Sequence, residues 1–209
     1  MRIAKEGYRF ILPSAALALL ALAMGWKWAA LGLFVLALAL MGFFRDPDRI
    51  PPEGEGFILS PADGKIVGIR KIAGSGIPEG SETRVSIFLS PLDVHVNRAP
   101  VSGKVEGIDY RKGRFFAAYR EEASSRNERN AMRIVDPQGR RLGVVQIAGV
   151  MARRIICYVQ PGDLLAQGQR VGLIMFGSRV DLFLPDRCPM EVVEGQRVRG
   201  GETVIGRLL

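Results

Sequence analysis

The chain has 209 residues, enough for one hydrophobic core or for a small domain with a membrane anchor. Its 29 lysines and arginines exceed its 21 acidic residues, and the formal charge of +8 favours an anionic partner, either nucleic acid or an acidic lipid surface. Two cysteines and a single histidine argue against a disulfide framework and against a zinc site.

The N-terminal part is almost wholly apolar from residue 10 to residue 44, well beyond the ~20 residues that span a hydrocarbon core. Its one break, Gly25-Trp26-Lys27-Trp28, has the residue types that settle at a lipid headgroup boundary. We therefore predict two helices, 9–24 and 28–44, that form either a spanning pair or a shallow re-entrant hairpin.

Positive charges flank this apolar segment on both sides, which predicts that both of its ends lie on the cytoplasmic side of the cell membrane. The flanking cations are Arg2, Lys5, Arg9, Arg45 and Arg49. Residues 1–45 are thus expected to anchor a cytoplasmic domain, residues 46–209, to the membrane.

From Asp46 the composition changes to a proline-rich linker followed by a glycine-rich, β-branched domain. Short apolar runs between Gly, Pro and Asp residues predict strands. These runs are 84–89, 131–135, 143–148, 154–159 and 171–176. Residues 136–139 are predicted to form a hairpin turn, and residues 111–130 a loop with one helical turn.

Two internal similarities support a β architecture. "PADGKIVGI" at 61–69 resembles "PVSGKVEGI" at 100–108, and "GQRVGLI" at 168–174 resembles "GQRVRGGETVIG" at 195–206. Such turn-strand units are similar to those of lipoyl and biotinyl carrier domains, but no carrier lysine occupies the corresponding positions. The predicted fold class is mainly β (α+β): a lipoyl/biotinyl-like β-sandwich preceded by a hydrophobic helical hairpin.

Gly177-Ser178 interrupts a strand-like stretch, where a Gly-Ser pair usually marks a bulge or a bend. The second glycine of a hydrolase nucleophile elbow is absent, since Val180 occupies its position. A strained Gly-Ser peptide can also rearrange to an ester by attack of the hydroxyl on the glycine carbonyl, and elimination then yields a pyruvoyl group. That chemistry needs a base and donors for the oxyanion.

Two further segments carry candidate acid–base groups. His95, the single histidine, lies in a β-like alternation and is either a structural residue or a general acid/base. Asp63 precedes Gly64 in a common turn pattern, and its carboxylate could orient or stabilise a base.

The adjacent Arg153 and Arg154 point in opposite directions if their segment is a strand. One of them could then bind a phosphate or carboxylate, while an ordinary solvated pair is an equal alternative.

Together these segments closely resemble the phosphatidylserine decarboxylase family in its short form, with an N-terminal hydrophobic hairpin. The resemblance rests on five motifs in order: "FFRDPDR" at 43–49, "SPADGKI" at 60–66, "FLSPLDVHVNRAP" at 88–100, "ARRI" at 152–155 and "FGSRVDLFLP" at 176–185. The resemblance implies a pyruvoyl-dependent proenzyme that decarboxylates phosphatidylserine to phosphatidylethanolamine through a Schiff base.

The resemblance also implies self-cleavage between Gly177 and Ser178, giving a beta chain (1–177) and an alpha chain (178–209) that stay associated. Ser178 would become the covalent pyruvoyl cofactor, with Asp63 and His95 catalytic and no metal required. The expected partners are the phospholipid substrate and the membrane, with no nucleic acid; a homo-oligomer is left open.

The sequence departs from the family pattern at one position. Members of the long form carry a second histidine three residues after the first, where this chain has Arg98. The second histidine is the one that the family links to self-cleavage. Either His95 therefore serves both steps, or Asp63 together with Arg98 assists processing; Arg98 is also a candidate for substrate binding.

Three alternatives remain at this point. The first is a membrane-tethered, lipoyl-like adaptor without enzymatic activity. The second is decarboxylation of an ether-lipid analogue, archaetidylserine, because the serine headgroup is the same. The third is a pyruvoyl enzyme that acts on a soluble amino acid.

Overall fold

The computed structural model describes residues 2–72, 77–114, 116, 126–149, 154–175 and 178–209. The chain divides into two compact units, residues 1–48 and 49–209. Strands dominate the second unit, and two helices form most of the first. The predicted α+β class with an N-terminal pair of apolar helices is therefore confirmed.

The first unit consists of helices α1 (Lys5–Ala23) and α2 (Lys27–Phe43) and a short antiparallel pair of strands, β1 (Arg2–Ile3) with β2 (Arg45–Asp46). Helix α1 is long and apolar enough to cross a membrane by its length and composition, and α2 is a shorter apolar helix. The helices match the predicted pair, except that α1 begins four residues earlier than expected.

Close packing within this unit joins the start of α1 to the end of α2. A Cβ at Gly7 would lie 2.7 Å from Phe44, so only glycine permits this approach. The ring of Phe10 stacks on Phe44 with 5.7 Å between centroids. Leucines elsewhere on α1 are exposed, with Leu12 at 62% and Leu19 at 70%, and Trp28 is 86% exposed. An apolar exposed surface of this kind suits a lipid environment.

The second unit is built from short strands. In chain order they are β3 (Phe57–Leu59), β4 (Gly64–Lys71), β5 (Thr83–Leu89), β6 (Val96–Arg98), β7 (Gly103–Arg111), β8 (Arg129–Val135), β9 (Arg141–Ala148), β10 (Ile155–Cys157), β11 (Leu164–Leu165), β12 (Arg170–Ile174), β13 (Ser178–Leu184), β14 (Arg197–Val198) and β15 (Val204–Arg207).

Within the described residues these strands form a large sheet, a small sheet and one further pair, all antiparallel. The large sheet has the order β11-β7-β8-β9-β13-β5-β4-β14, the small sheet β10-β12-β6, and β15 pairs with β3. The long connection from β9 to β13 through the small sheet brings distant parts of the chain onto one core.

The five predicted strands all occur, as β5, β8, β9, β10 and β12. The predicted turn joins β8 to β9, with Gly139 at a φ of +84° that favours glycine. The loop predicted for 111–130 is wrong at both ends, because β7 extends to Arg111 and β8 begins at Arg129. Its central part, 117–125, lies outside the described residues.

Strand β13 is central to the large sheet and pairs with both β5 and β9. Its alternate side chains Val180, Leu182 and Leu184 are fully buried in the main hydrophobic core. Each such burial stabilises the fold by about 1.5–3 kcal/mol. Core packing and pairing with β5 and β9 therefore fix the position of the start of β13.

The first internal similarity corresponds to a repeat in the fold. Strands β4 and β7 begin at Gly64 and Gly103, and each pairs with a two-residue strand at that end, β14 and β11 respectively. A Cβ at Gly64 would lie 2.2 Å from the Phe88 carbonyl oxygen, and one at Gly103 would lie 2.4 Å from that of Val135. The same close approach therefore requires glycine in both copies.

The second internal similarity also corresponds to a repeat in the fold, but with a different register from the one that the identical letters predict. Gly168 is equivalent to Gly201 and not to Gly195, because Gly168 and Gly201 each donate the N–H to the segment before the repeat strand, whereas Gly195 donates to Ile66 within β4. The acceptors for Gly168 and Gly201 are the carbonyls of Ala99 and Ser60, at 2.9 and 2.8 Å. The identical letters "GQRV" thus lie at different positions in the two copies.

Candidate active site

Ser178 is the first residue of β13 and lies between Leu89, the last residue of β5, and Ala148, the last residue of β9. It shares a face of its strand with the core residue Val180. Its side chain is fully buried, and its Oγ has no hydrogen-bond partner among the described residues. A buried hydroxyl in this state costs free energy, which makes the position unusual for a purely structural serine.

His95 is fully buried and continues the pairing of β6 with β12, because its carbonyl accepts the N–H of Ile174 at 3.3 Å. Ring atom Nδ1 lies 2.9 Å from the Asp93 carbonyl oxygen. A carbonyl can only accept, so Nδ1 carries the proton, and Nε2 of the neutral ring has the lone pair. His95 is therefore set up to take a proton at Nε2.

Asp93 stabilises the turn that presents His95. Its carboxylate accepts hydrogen bonds from the backbone and the hydroxyl of Ser90, at 2.8 and 2.7 Å. Its other oxygen forms an ion pair with Arg197 at 3.1 Å. These contacts hold the turn from Ser90 to His95 at the end of β5 that lies beside Ser178.

Asp63 immediately precedes β4 and is held by two donors. Oδ1 accepts the backbone N–H of Gly200 at 2.8 Å, and Oδ2 forms an ion pair with Arg49 at 2.8 Å. Burial raises the pKa of Asp63 above its ordinary value, against the lowering effects of the Gly200 N–H and of Arg49, while nearby Asp93 and Glu202 raise it further. The carboxylate is thus partly buried and electrostatically coupled to the His95 turn.

These three candidates lie at one end of the large sheet. Lys65, two residues after Asp63, pairs with Phe88, which in turn pairs with Arg179 beside Ser178. Two strand spacings, about 10 Å, therefore separate the backbone of β4 from that of β13. The width of β5 thus separates Asp63 from Ser178, whereas His95 lies in the segment that follows β5.

The candidate arginines are placed differently. Arg98 is buried, and its guanidinium donates to the Gly168 carbonyl at 3.0 Å. By strand alternation it lies on the opposite side of β6 from His95. Arg154 is exposed, and its carbonyl accepts the N–H of Met175, three residues before Ser178. Arg153 and Gly177 lie outside the described residues.

A buried chain of amides near Ser178 was not found by sequence reasoning. Asn130 Nδ2 donates to Gln146 Oε1 at 2.9 Å, and Gln146 Nε2 donates to Asn97 Oδ1 at 2.8 Å. All three residues are at most 1% exposed. The one available signal was the spacing of His95 and Asn97, which places both on one side of a strand.

Glu128 is a second residue that sequence reasoning missed. It is buried, its carbonyl accepts the N–H of Ala148 at 3.0 Å, and its carboxylate accepts the N–H of Ile155 at 3.4 Å. The row of residues at this end of the sheet therefore runs from Gly64 through Ser178 to Glu128. No group of three potential metal ligands occurs within the part of the chain that the structure describes.

Comparison with known proteins gives a consistent result. A family model described as phosphatidylserine decarboxylase matches residues 36–206. Relatives named phosphatidylserine decarboxylase proenzyme occur in Erythrobacter litoralis, 43% identical over 97% of this chain and 86% of its own, and in Desulfotalea psychrophila, 41% identical over 99% and 97%. A third, in Ruegeria pomeroyi, is 44% identical over 97% of this chain and 94% of its own. The matched range contains Asp63, His95 and Ser178.

Proposed function

The chain belongs to the phosphatidylserine decarboxylase family and is a carboxy-lyase, and on that premise we propose that it converts phosphatidylserine to phosphatidylethanolamine with a pyruvoyl group formed at Ser178. The group arises by self-cleavage between Gly177 and Ser178. Family membership decides against the adaptor alternative, since an adaptor would have no carboxy-lyase activity.

The observation that carries this proposal is the environment of Ser178. Its Oγ is buried at the start of a central strand without a hydrogen-bond partner among the described residues. If self-cleavage removes Oγ from Ser178, the fold has no need of a hydrogen bond to that oxygen. The pyruvoyl group supplies a ketone that captures the substrate amine and accepts the electrons released when carbon dioxide leaves.

The protein's own residues then have separate roles. His95 Nε2 accepts the proton of the Ser178 hydroxyl during self-cleavage and delivers a proton to the substrate carbon during turnover. Asp63 stabilises positive charge on that side of the site through its carboxylate. Since Arg98 lies on the opposite side of β6 from His95, we assign both proton transfers to His95.

The strand pairing supports continued association of the two fragments after cleavage. Strand β13 belongs to the alpha chain and pairs along its whole length with β5, and from Ser178 to Phe183 with β9; both partners belong to the beta chain. Strands β14 and β15 of the alpha chain also pair with β4 and β3. Cleavage just before Ser178 breaks none of these pairs, so the fragments remain one folded unit.

We further propose that α1 and α2 hold the enzyme at the cytoplasmic face of the membrane. Helix α1 is long and apolar enough to span, and basic residues flank the helical pair on both sides. This arrangement keeps the serine headgroup of the substrate within reach of the catalytic unit.

The substrate assignment is tested with the full chain and lipid vesicles that carry a labelled serine carboxyl group. Release of labelled carbon dioxide by the wild type and its loss in Ser178→Ala support the proposal. Diacyl and diether vesicles presented separately distinguish phosphatidylserine from archaetidylserine, and free serine tests the soluble alternative. A Ser178→Ala variant that retained full activity would contradict the proposal.

A further inference from the structure

Two buried side-chain atoms, Ser178 Oγ and Asn97 Nδ2, lack a hydrogen-bond partner among the described residues. Both residues are fully buried. A buried donor left unpaired destabilises the fold, and a partner that forms only during a reaction would account for it. The proposed function uses Ser178 and gives Asn97 no role.

The orientation of Asn97 is fixed by the chain of amides. Asn130 donates to Gln146, and Gln146 donates to the Asn97 carbonyl oxygen. The nitrogen of each amide thus donates to the oxygen of the next amide. The Asn97 nitrogen, at the end of the chain of amides, has no further amide to which it can donate. A donor held in this way needs no reorganisation when negative charge develops nearby.

The register of the large sheet places Gln146, which contacts Asn97, near Ser178. Gln146 pairs with Val180 and Ala148 pairs with Ser178, so Gln146 and Ser178 are diagonal neighbours on one face, roughly 7–8 Å apart. Asn97 contacts Gln146 from the small sheet. It lies on the same side of its strand as His95, the proposed base.

Gly172 on β12 makes this contact possible. It pairs with Asn97, and a Cβ at this position would lie 2.8 Å from Gln146 Nε2 and 2.4 Å from the Ile156 carbonyl oxygen. The missing side chain lets the Gln146 amide approach β12 and β6. The small sheet therefore packs directly on Gln146, the diagonal neighbour of Ser178.

We propose that the Asn97 carboxamide is a catalytic hydrogen-bond donor to the Ser178 oxygen during self-cleavage. This inference rests on the proposed function and adds to it a residue that stabilises charge on Oγ.

The two steps of self-cleavage both place negative charge on that oxygen. Oγ gives its proton to His95 and bonds to the Gly177 carbonyl carbon; the C–N bond breaks, and the proton passes to the nitrogen, leaving an ester and an amine. A base then removes the Ser178 Cα proton, and the Cβ–Oγ bond breaks, so that Gly177 departs as a carboxylate containing Oγ. The resulting dehydroalanine tautomerises, and water displaces ammonia to give the pyruvoyl group.

The test is the rate at which newly synthesised full-length chain is converted to the fragments 1–177 and 178–209. Asn97→Leu removes the donor, keeps the number and branching of the side-chain heavy atoms, and should slow cleavage about 100-fold, as loss of one oxyanion donor does. The matched control is Asn130→Leu, which removes an equally buried amide at the far end of the chain of amides. It should slow cleavage at least ten times less than Asn97→Leu.

Asn97→Asp provides an independent criterion. Its protonated carboxyl can donate a hydrogen bond and its carboxylate cannot, so its cleavage rate relative to the wild type at the same pH should rise as the pH falls. Thermal unfolding shows whether Asn97→Leu folds. If it does not, the pH dependence of Asn97→Asp alone tests the role of Asn97 as a donor.

The outcomes separate the two proposals. A wild-type chain that stays uncleaved overturns the proposed function itself. A wild-type chain that cleaves, together with equal rates for Asn97→Leu and Asn130→Leu or a pH-independent ratio for Asn97→Asp, overturns only the role of Asn97.

Discussion

Asp63 and Ser102 occupy equivalent positions in the two repeats of the fold, and each accepts a backbone N–H from the turn that closes its repeat. The Gly200 N–H lies 2.8 Å from Asp63 Oδ1, and the Gln167 N–H lies 3.0 Å from Ser102 Oγ. That hydrogen bond is therefore structural in both repeats. What distinguishes Asp63 is its charge and its second oxygen, which pairs with Arg49.

This equivalence supplies a variant that separates the two roles. Asp63→Ser should keep the turn hydrogen bond, as Ser102 does, while it removes the charge. We expect cleavage or decarboxylation to fall by about 10²–10⁴-fold if the carboxylate assists proton transfer. Ser102→Ala is the control: it should lower the free energy of unfolding by about 1 kcal/mol and leave the cleavage rate unchanged. Equal activity in Asp63→Ser and wild type would refute the catalytic role.

The raised pKa of Asp63 gives a pH-dependent effect on stability. Because the folded state binds the proton more tightly than the unfolded state, the contribution of Asp63 to stability is greatest below the ordinary pKa of 3.8 and declines as the pH rises through the higher folded pKa. Asn at this position does not titrate. The difference in unfolding free energy should therefore shift in favour of Asp63→Asn as the pH rises above 3.8, and the opposite trend would show that the pKa is lowered.

His95→Asn tests the base without removing the structural contact. The Asn amide nitrogen can replace Nδ1 as donor to the Asp93 carbonyl, but nothing replaces Nε2. The variant should fold with a melting temperature close to that of the wild type, and its rate of self-cleavage should fall by about 10²–10⁴-fold. His95→Gln, which can extend toward the Nε2 position without basicity, should be equally slow. Near-normal cleavage in either folded variant would assign the proton transfer to another group.

Gly172→Ala tests the close contact between the two sheets. The added Cβ would meet a backbone oxygen at 2.4 Å and the Gln146 amide at 2.8 Å, so we expect a loss of about 1–3 kcal/mol in the free energy of unfolding. Gly68→Ala in β4 is the matched control, because its Cβ would meet one side-chain atom at 3.9 Å and nothing closer. Chemical denaturation of both variants measures the difference, and equal stabilities would mean that the atoms around Gly172 shift to make room for the methyl group.

The sequence predicted the strands and the individual candidate residues because both depend on local patterns. Short apolar runs between Gly, Pro and Asp residues identified β5, β8 and β9, and the Gly-Ser pair marked Ser178 as a candidate residue. The burial of Arg179 and Asp181, which form an ion pair at 2.9 Å, was not expected, since alternation alone assigns such charges to solvent.

Long-range contacts could not be predicted from those patterns. The amide chain joins Asn97, Asn130 and Gln146 only after β6 is placed over β9, and no local pattern encodes that placement. The pairing of Arg49 with Asp63 likewise depends on where the linker lies beside the turn at Gly200. The register of the second internal similarity depends likewise on long-range hydrogen bonds, those of the Gly168 and Gly201 N–H groups to Ala99 and Ser60, and identical letters do not encode them.

The most direct test of the central claim is the intact mass of the purified wild-type chain under denaturing conditions. We predict two species, an unmodified fragment 1–177 and a fragment 178–209 with a blocked amino terminus that is lighter by one ammonia than the same fragment beginning with serine. Ser178→Ala should give one uncleaved chain. An active wild-type preparation that consists of a single intact chain, or a 178–209 fragment that retains its amino-terminal serine, would contradict the account.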